Sequence, residues 1–281
     1  MLEAIQAGRN TGKGKNMERK NLSIYIFLGI IYSLPLLLKA ELTSKRKLLF
    51  FFENIEIRGS VDVFLIDGKR EREVTIFADS SIINEVQTKV SLKTLYIDAN
   101  NTYSLARRIP FVRLRAERKY PVEIMLSIGS LKGIRLLENS NITARILKAE
   151  NLDIFSESSG RLHLENISAN MLNIRHSGSG DIVLKGKDLP EAEIKSTGSG
   201  NLIASELEIG RTTLIHQGTG MVHLAPTDWL DARMLNTGNL ILHSKPSNLV
   251  IDQKGTGKVR DILPDAIQYY DANSTNPVLN R

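Results

Sequence analysis

The chain has 281 residues, of which 42% are hydrophobic and 24% are charged, so its composition is that of a globular protein and not of a disordered one. It contains no cysteine, which excludes disulfides, thiolate metal sites and thiol redox chemistry. The net charge of +6 comes mostly from residues 1–40, because the remaining residues hold 31 basic and 29 acidic side chains, too balanced for a nucleic-acid-binding surface.

Residues 1–40 have the layout of an export segment. An uncharged apolar run of 17 residues, 22–38, follows a basic stretch that begins at Met17 and precedes the small residue Ala40. This pattern is typical of a signal peptide that is cleaved after export. Because a run of about 17 apolar residues is also the shortest that spans a bilayer, an uncleaved anchor is the alternative. In either case we expect the chain that follows this segment to lie in the periplasm, on the cell surface or in the medium. Translation starts at either Met1 or Met17.

Residues 48–139 are predicted to form a strand-rich N-terminal part. Apolar and polar residues alternate in short segments, as in strands with one buried face. These segments are 55–57, 61–63, 74–76, 95–97 and 122–124. Arg113 and Arg115 fall on one face of a further predicted strand. That face is either simply solvated or a contact surface for anionic polymers or lipid headgroups.

Residues 140–263 contain an internal repeat of about twenty residues, in which a small residue and a glycine recur. The repeat glycines are Gly160, Gly180, Gly200, Gly220, Gly238 and Gly257, at spacings of 20, 20, 20, 18 and 19. An apolar residue stands two positions after each glycine and another four positions after all of them but Gly257, and a second alternating pair follows later in the repeats. Both pairs have the period of two that indicates strands with one buried face.

Aligning the repeats predicts four columns of buried residues. The first column contains Ile142, Leu162, Ile182, Leu202, Val222, Leu240 and Val259, and the second Ala144, Leu164, Leu184, Ala204, Leu224 and Leu242. The third contains Leu152, Leu172, Ala192, Thr212 and Ala232, and the fourth Ile154, Ile174, Ile194, Leu214 and Met234. Each repeat therefore supplies at least two strands in a fixed order.

This order predicts an all-β fold: a right-handed parallel β-helix, or solenoid, that follows the strand-rich N-terminal part. Each coil of about 20 residues stacks on the previous one, so that the columns become ladders. The glycines are expected where the turns need a positive φ. The tail, residues 264–281, is expected to cap the C-terminal end, because an open end leaves strand edges unpaired.

The opening segment 52–63, the serial Ser-Gly and Thr-Gly turns and the closing segment 245–259 together resemble the auto-transporter adhesin family with a head GIN domain. The resemblance covers roughly residues 50–263. It implies a β-helical fold in an exported bacterial protein, with adhesion as the suggested role. It brings no catalytic residues and no defined ligand-binding residues.

The sequence marks no catalytic, cofactor or metal site. His176 and His216 share a column but are expected two coils apart, about 10 Å, which is too far to share one zinc ion. Asp153 and Glu193 are expected at a similar separation in an outward column, near that of an inverting carboxylate pair. No aromatic cluster or long inserted loop accompanies the two carboxylates, so we interpret them as part of a solvated face.

An outward column of the repeat is apolar at three positions, Val183, Ile203 and Ile241. An exposed apolar ridge of this kind indicates either a covering element or a partner. We expect the N-terminal strands to cover it, and otherwise interpret it as an interaction surface.

The predicted function is that of an exported, non-enzymatic binding or scaffold protein, adhesin-like, at the cell envelope or secreted. One alternative is an enzyme that acts on extracellular polysaccharide through Asp153 and Glu193, and another is a structural spacer. The expected partner is a cell-surface glycan, an envelope component or a host surface. We expect no nucleic acid and no cofactor, and membrane contact only through an uncleaved N-terminal segment.

Overall fold

The computed structural model describes residues 41–67, 70–100, 121–263, 266–270 and 277–278. The predicted export segment and the arginines Arg113 and Arg115 lie outside these residues. Over the described residues, the structure contains no helix that is long and apolar enough to cross a membrane.

The described residues form twenty-one β-strands, numbered here in chain order. The first ten are β1 (Leu42–Leu48), β2 (Asn54–Arg58), β3 (Val61–Ile66), β4 (Glu73–Asp79), β5 (Gln87–Ser91), β6 (Thr94–Asp98), β7 (Glu123–Ser127), β8 (Gly133–Leu136), β9 (Ser140–Ala144) and β10 (Leu147–Lys148). They are followed by β11 (Asn151–Ser156), β12 (Leu162–Ser168), β13 (Met171–His176), β14 (Ile182–Ser196), β15 (Leu202–His216), β16 (Val222–Met234), β17 (Leu240–Leu242), β18 (Asn248–Gln253), β19 (Val259–Leu263), β20 (Ala266–Tyr270) and β21 (Pro277–Val278).

Successive coils pair in parallel, residue upon residue, which confirms the β-helix. Leu162 pairs with Ile142 on one side and with Ile182 on the other. The same column continues through Leu202 and three more coils to Val259. Every member of this column is at most 2% exposed. Burial of one apolar residue above another, coil after coil, is the main stabilising interaction of the fold.

One coil is shorter than the others, and this corrects the last members of two predicted columns. Thr212 pairs with Leu230, and Leu214 pairs with Ala232, whereas the sequence pattern places Ala232 and Met234 there. The register between β15 and β16 shifts twice in the segment before these pairs. The coil is therefore shorter in the segment before its second strand segment. From there to Met234, each residue of β16 pairs two positions earlier than a spacing of 20 would give.

The turn glycines are required by close backbone approach and not by a positive φ, which corrects the expectation from the sequence. Among the glycines that the structure describes, only Gly59 has a left-handed φ, of 88°. A Cβ on Gly180 would overlap the carbonyl oxygen of Gly160, and a Cβ on Gly200 would overlap that of Gly180. The turns therefore stack glycine on glycine, with no room for a side chain between them.

The N-terminal strands extend the same stack. β2 pairs in parallel with β8, and β3 pairs in parallel with β9. β6 and β7 then pair in parallel with the other edges of β2 and β3. The coil that contains β2 and β3 thus lies between the coil of β6 and β7 and the coil of β8 and β9. Parallel stacking therefore includes strands that precede residue 140.

Antiparallel strands flank the parallel stack at both ends. At one end β4 pairs with β7, β1 pairs with β4, and β5 pairs with β6. At the other end β20 pairs with β19, and β21 pairs with β20. These strands give hydrogen-bond partners to edges that would otherwise invite pairing with another chain. Inside the stack, one hydrophobic cluster runs from Leu49 to Val259.

Candidate functional site

A groove of about 570 Å³ lies on one outer face of the stack. The second strand segment of each coil forms this face, and the groove runs over β11, β13 and the C-terminal parts of β14 and β15. Two outward columns follow it along the stack. The first contains Asp153, Asn173, Glu193 and Thr213, and the second Phe155, Arg175, Lys195 and Ile215. Because adjacent strands lie about 4.8 Å apart, the four coils give the groove a length of about 14 Å.

The first column presents hydrogen-bonding groups at the interval of one coil. Asn173 donates a hydrogen bond from its Nδ2 to Oδ1 of Asp153 at 2.8 Å. Glu193 and Thr213 follow in register, and the next residue is Asp231, 18 positions after Thr213, where a strict spacing of 20 would place Arg233. The shorter coil causes this shift. The exposed carboxylates of Asp153 and Glu193 and the exposed hydroxyl of Thr213, with the half-buried amide of Asn173 between them, can form hydrogen bonds with a ligand rich in hydroxyl groups.

The second column adds an aromatic ring and positive charge. The guanidinium of Arg135 lies 4.6 Å from the centre of the Phe155 ring, in a cation–π contact. Arg175 and Lys195 follow in the next two coils and are exposed. The groove therefore has cations along one column and carboxylates along the other, with an aromatic ring at one end.

The predicted carboxylate pair does lie in one column, two coils apart. Asn173 stands between Asp153 and Glu193, and both carboxylates are exposed. An inverting glycosidase needs one of its two carboxyl groups protonated in the resting state, which usually follows from burial. Neither carboxylate of this column has such burial.

The predicted apolar ridge is half-buried and runs along the stack. In order, its column contains Phe64, Thr143, His163, Val183, Ile203, His223 and Ile241. Phe64 belongs to β3, so this N-terminal strand lengthens the ridge instead of covering it. The use of Val183, Ile203 and Ile241 as an interaction surface stays a prediction.

Two of the five histidines are buried against the glycine turns. His176 and His216 lie two coils apart with Ser196 between them, as the repeat predicts, and each is 1% exposed. Burial lowers the pKa of both rings, and the backbone carbonyls of Gly200 and Gly220 partly oppose that shift. His216 Nε2 lies 2.9 Å from the carbonyl oxygen of Gly220.

Two further histidines form a pair that the column alignment misses. Nδ1 of His223 lies 3.0 Å from Nε2 of His243, and the ring centres are 5.2 Å apart at an interplanar angle of 34°. The register aligns His223 with Ile241, so the contact is diagonal to the column. The spacing of 20 residues, equal to the repeat, is the one signal that points to it.

Burial lowers the pKa of both histidines of this pair. For His223, the ring of His243 lowers the pKa further, and for His243 the carboxylate of Asp261 partly opposes the shift. In the part of the chain that the structure describes, no cluster of three or more His, Cys, Asp or Glu side chains is arranged to hold a metal ion.

Comparison with known proteins identifies one matching family. The model of the family described as "Putative auto-transporter adhesin, head GIN domain" matches residues 51–246. No curated protein matches the chain significantly.

Solved structures share the architecture. A "putative adhesin" from Bacteroides fragilis NCTC 9343 has a TM-score of 0.70 and 21% identity, and the match covers 79% of this chain and 97% of that one. A "putative adhesin" from Parabacteroides merdae ATCC 43184 has a TM-score of 0.55 and 16% identity, with coverage of 80% and 98%. A "Putative lipid binding protein" from Parabacteroides distasonis ATCC 8503 has a TM-score of 0.57 and 14% identity, again with coverage of 80% and 98%. At these identities the likeness shows the fold alone.

Proposed function

Because the chain belongs to the auto-transporter adhesin family with a head GIN domain, we propose that it is an exported, non-enzymatic binding protein of the cell envelope or the medium, with a surface glycan as its ligand. The family name and the similar structures named as adhesins support a binding role. The apolar segment at 22–38 supports export.

The groove along the coils carries this proposal. Its first column, from Asp153 to Thr213, offers one hydrogen-bonding side chain per coil, and Phe155 offers an aromatic face beside them. Amide and carboxylate groups next to an aromatic ring are the chemistry that binds sugar hydroxyls and apolar sugar faces. The regular spacing along the stack suits an extended polymer that lies parallel to the stack.

A glycan panel tests the proposal against its alternatives. Residues 42–281 form a compact unit of their own, so the region 41–281 is incubated with immobilised glycans, and both retention and cleavage are measured. Retention without products supports the adhesin. Products support an enzyme that acts on extracellular polysaccharide, and neither retention nor products supports a structural spacer.

Paired variants then locate the binding face. Glu193→Ala with Lys195→Ala removes two exposed groups from the centre of the groove, and we expect retention to fall at least about tenfold because both are direct contacts. Lys187→Ala with Glu208→Ala removes one cation and one anion from exposed positions outside the groove and serves as the matched control. Equal retention by both double variants would place the binding site elsewhere.

A second candidate ligand is an amphiphile with an acidic headgroup. One similar structure is titled a lipid binding protein, and this chain has a second groove of about 380 Å³ on β1, β3, β4 and β7. Ile66, Phe77 and Met125 line it together with Arg46 and Arg70. Co-sedimentation with phosphatidylglycerol vesicles, but not with phosphatidylcholine vesicles, would favour this ligand over a glycan.

The arginines Arg113 and Arg115 belong to the same question, although they lie outside the described residues. If they contact anionic polymer or lipid headgroups, the double variant Arg113→Glu with Arg115→Glu loses binding to anionic envelope components. Unchanged binding would end that interpretation.

A further inference from the structure

The histidine pair of His223 and His243 is independent of both grooves. Both rings are half-buried on the outer surface of the coils, His223 near the start of β16 and His243 directly after β17. Their nearest nitrogens are 3.0 Å apart, and the two residues belong to adjacent coils. No residue of the proposed glycan groove takes part in this contact.

We propose that His223 and His243 bind one divalent transition-metal ion, Cu²⁺ most tightly, and so link two adjacent coils near the C-terminal end of the stack. Imidazole nitrogen is a preferred ligand of Cu²⁺, Ni²⁺ and Zn²⁺, and Cu²⁺ binds a given nitrogen site most strongly of the divalent ions in this series. Water or a ligand from outside takes the remaining coordination positions.

The distance between the two nitrogens fits this role. Two nitrogens about 2.0 Å from one metal ion are about 2.8 Å apart at a right angle and about 3.3 Å apart at a tetrahedral angle. The observed 3.0 Å lies between these values. To bind one ion, the two rings rotate out of their mutual hydrogen bond until both lone pairs point at the metal.

The protonation of the pair also fits. The short contact is a hydrogen bond between two rings, in which one nitrogen donates and the other accepts. The ring that donates moves its proton to its other nitrogen when the metal enters, so two neutral imidazoles take up the ion without losing a proton. The nearby carboxylate of Asp261 adds negative charge that favours a cation.

The chain offers little competition for the ion. It has no cysteine and five histidines. His176 and His216 are buried, which leaves His163 as the other histidine on the outer surface. His163 lies in the same outward column as His223 but next to Glu165, with 3.3 Å between its Nε2 and Oε1 of the carboxylate.

The test is titration of the untagged full chain with Cu²⁺, followed by calorimetry and by electron paramagnetic resonance. We expect one Cu²⁺ per chain and a spectrum with two nitrogen donors. His223→Gln and His243→Gln each weaken binding at least about tenfold, because each removes one of two protein ligands. The matched control His163→Gln binds as the unmodified chain does.

Two results overturn the proposal: a wild-type spectrum without two nitrogen donors, or Cu²⁺ binding that the double variant His223→Gln with His243→Gln retains unchanged. Circular dichroism of each variant confirms that it is folded. The spectrum of the unmodified chain decides the question even if a variant fails to fold.

Discussion

At the glycine turns, hydrogen is the only side chain that the stack accommodates. The repeat glycines lie directly above one another, with the carbonyl oxygen of one coil against the Cα of the next. Next to them, the buried rings of His176 and His216 fill the inner side of the turns. Two residue types therefore matter for the stability of the turns: glycine, because it has no side chain, and histidine, because its buried ring can become protonated.

Gly180→Ala tests the role of size. The added Cβ would overlap the backbone of Gly160, which cannot move without separating two coils, so we expect a loss of about 2 kcal/mol or more in the free energy of unfolding. Urea denaturation measures it. Gly129→Ala is the matched control, because the atoms nearest to its added Cβ belong to the flexible side chain of Glu71. Equal effects in both variants would contradict the importance of close approach.

The pH dependence of stability tests the role of charge. Burial lowers the pKa of His176 and His216 in the folded chain, so below about pH 6.5 the unfolded chain binds protons that the folded chain does not. The free energy of unfolding therefore has its full value, as far as these two rings affect it, above the pKa of histidine in the unfolded chain. It falls as the pH drops below that pKa, by up to about 1.4 kcal/mol per pH unit for each ring.

The control for this dependence is a comparison of variants between pH 7 and pH 5. His176→Gln with His216→Gln removes the two most deeply buried rings and should reduce the change in urea midpoint over that range. The remaining change comes from His223 and His243, whose pKa burial also lowers. His163→Gln, whose ring lies on the outer surface, should leave the slope intact. A slope as steep in the double variant as in the unmodified chain would mean that other groups cause it.

At the scale of strands, the sequence predicts what is periodic and fails where the period breaks. The column from Ile142 to Val259 follows from the glycine spacing and is confirmed at every coil. A spacing of 18 shows that one coil is short but not where it is short. The backbone shortens before Leu230, which displaces the predicted positions of Ala232 and Met234.

The position of the N-terminal strands could not be read from the pattern. β2 and β3 stack between β8–β9 and β6–β7, although the chain reaches them first. Each of these strands shows the same alternation, so alternation alone does not decide which strand lies beside which. The groove column is predictable because its residues follow the repeat. The contact of His223 with His243 is not, because it is diagonal to the columns that the repeat defines.

Leu202→Ala tests the ladder itself. Leu202 is fully buried between Ile182 and Val222, so its truncation leaves a cavity in the stack and should cost about 3 kcal/mol of unfolding free energy. Ile203→Ala changes the neighbouring residue on the outer face, where the side chain is half-buried, and should cost about 1 kcal/mol. Urea denaturation of both variants measures the difference. A larger loss for Ile203→Ala would contradict the inward position of Leu202.

At the scale of the whole molecule, stacking turns a repeated sequence into a repeated surface. Each coil contacts mainly its two neighbours, so stability and surface both grow along one axis. The groove from Asp153 to Thr213 is a consequence, because its column exists only when four coils are in register. A protein of this architecture is suited to a ligand that also repeats along one axis.

The dependence of retention on glycan length tests this match. If the ligand lies along the stack, each added sugar reaches another coil, so retention should rise from the disaccharide upward and level off once the oligosaccharide covers the groove of about 14 Å. Affinity chromatography of a size series from one retained polymer measures this. The double variant of Glu193 and Lys195 removes groups from the centre of the groove. In this variant, retention should no longer increase with the length of the oligosaccharide. Equal retention of the disaccharide and the longest oligosaccharide would instead indicate a single small site, and the axial arrangement of the ligand would be wrong.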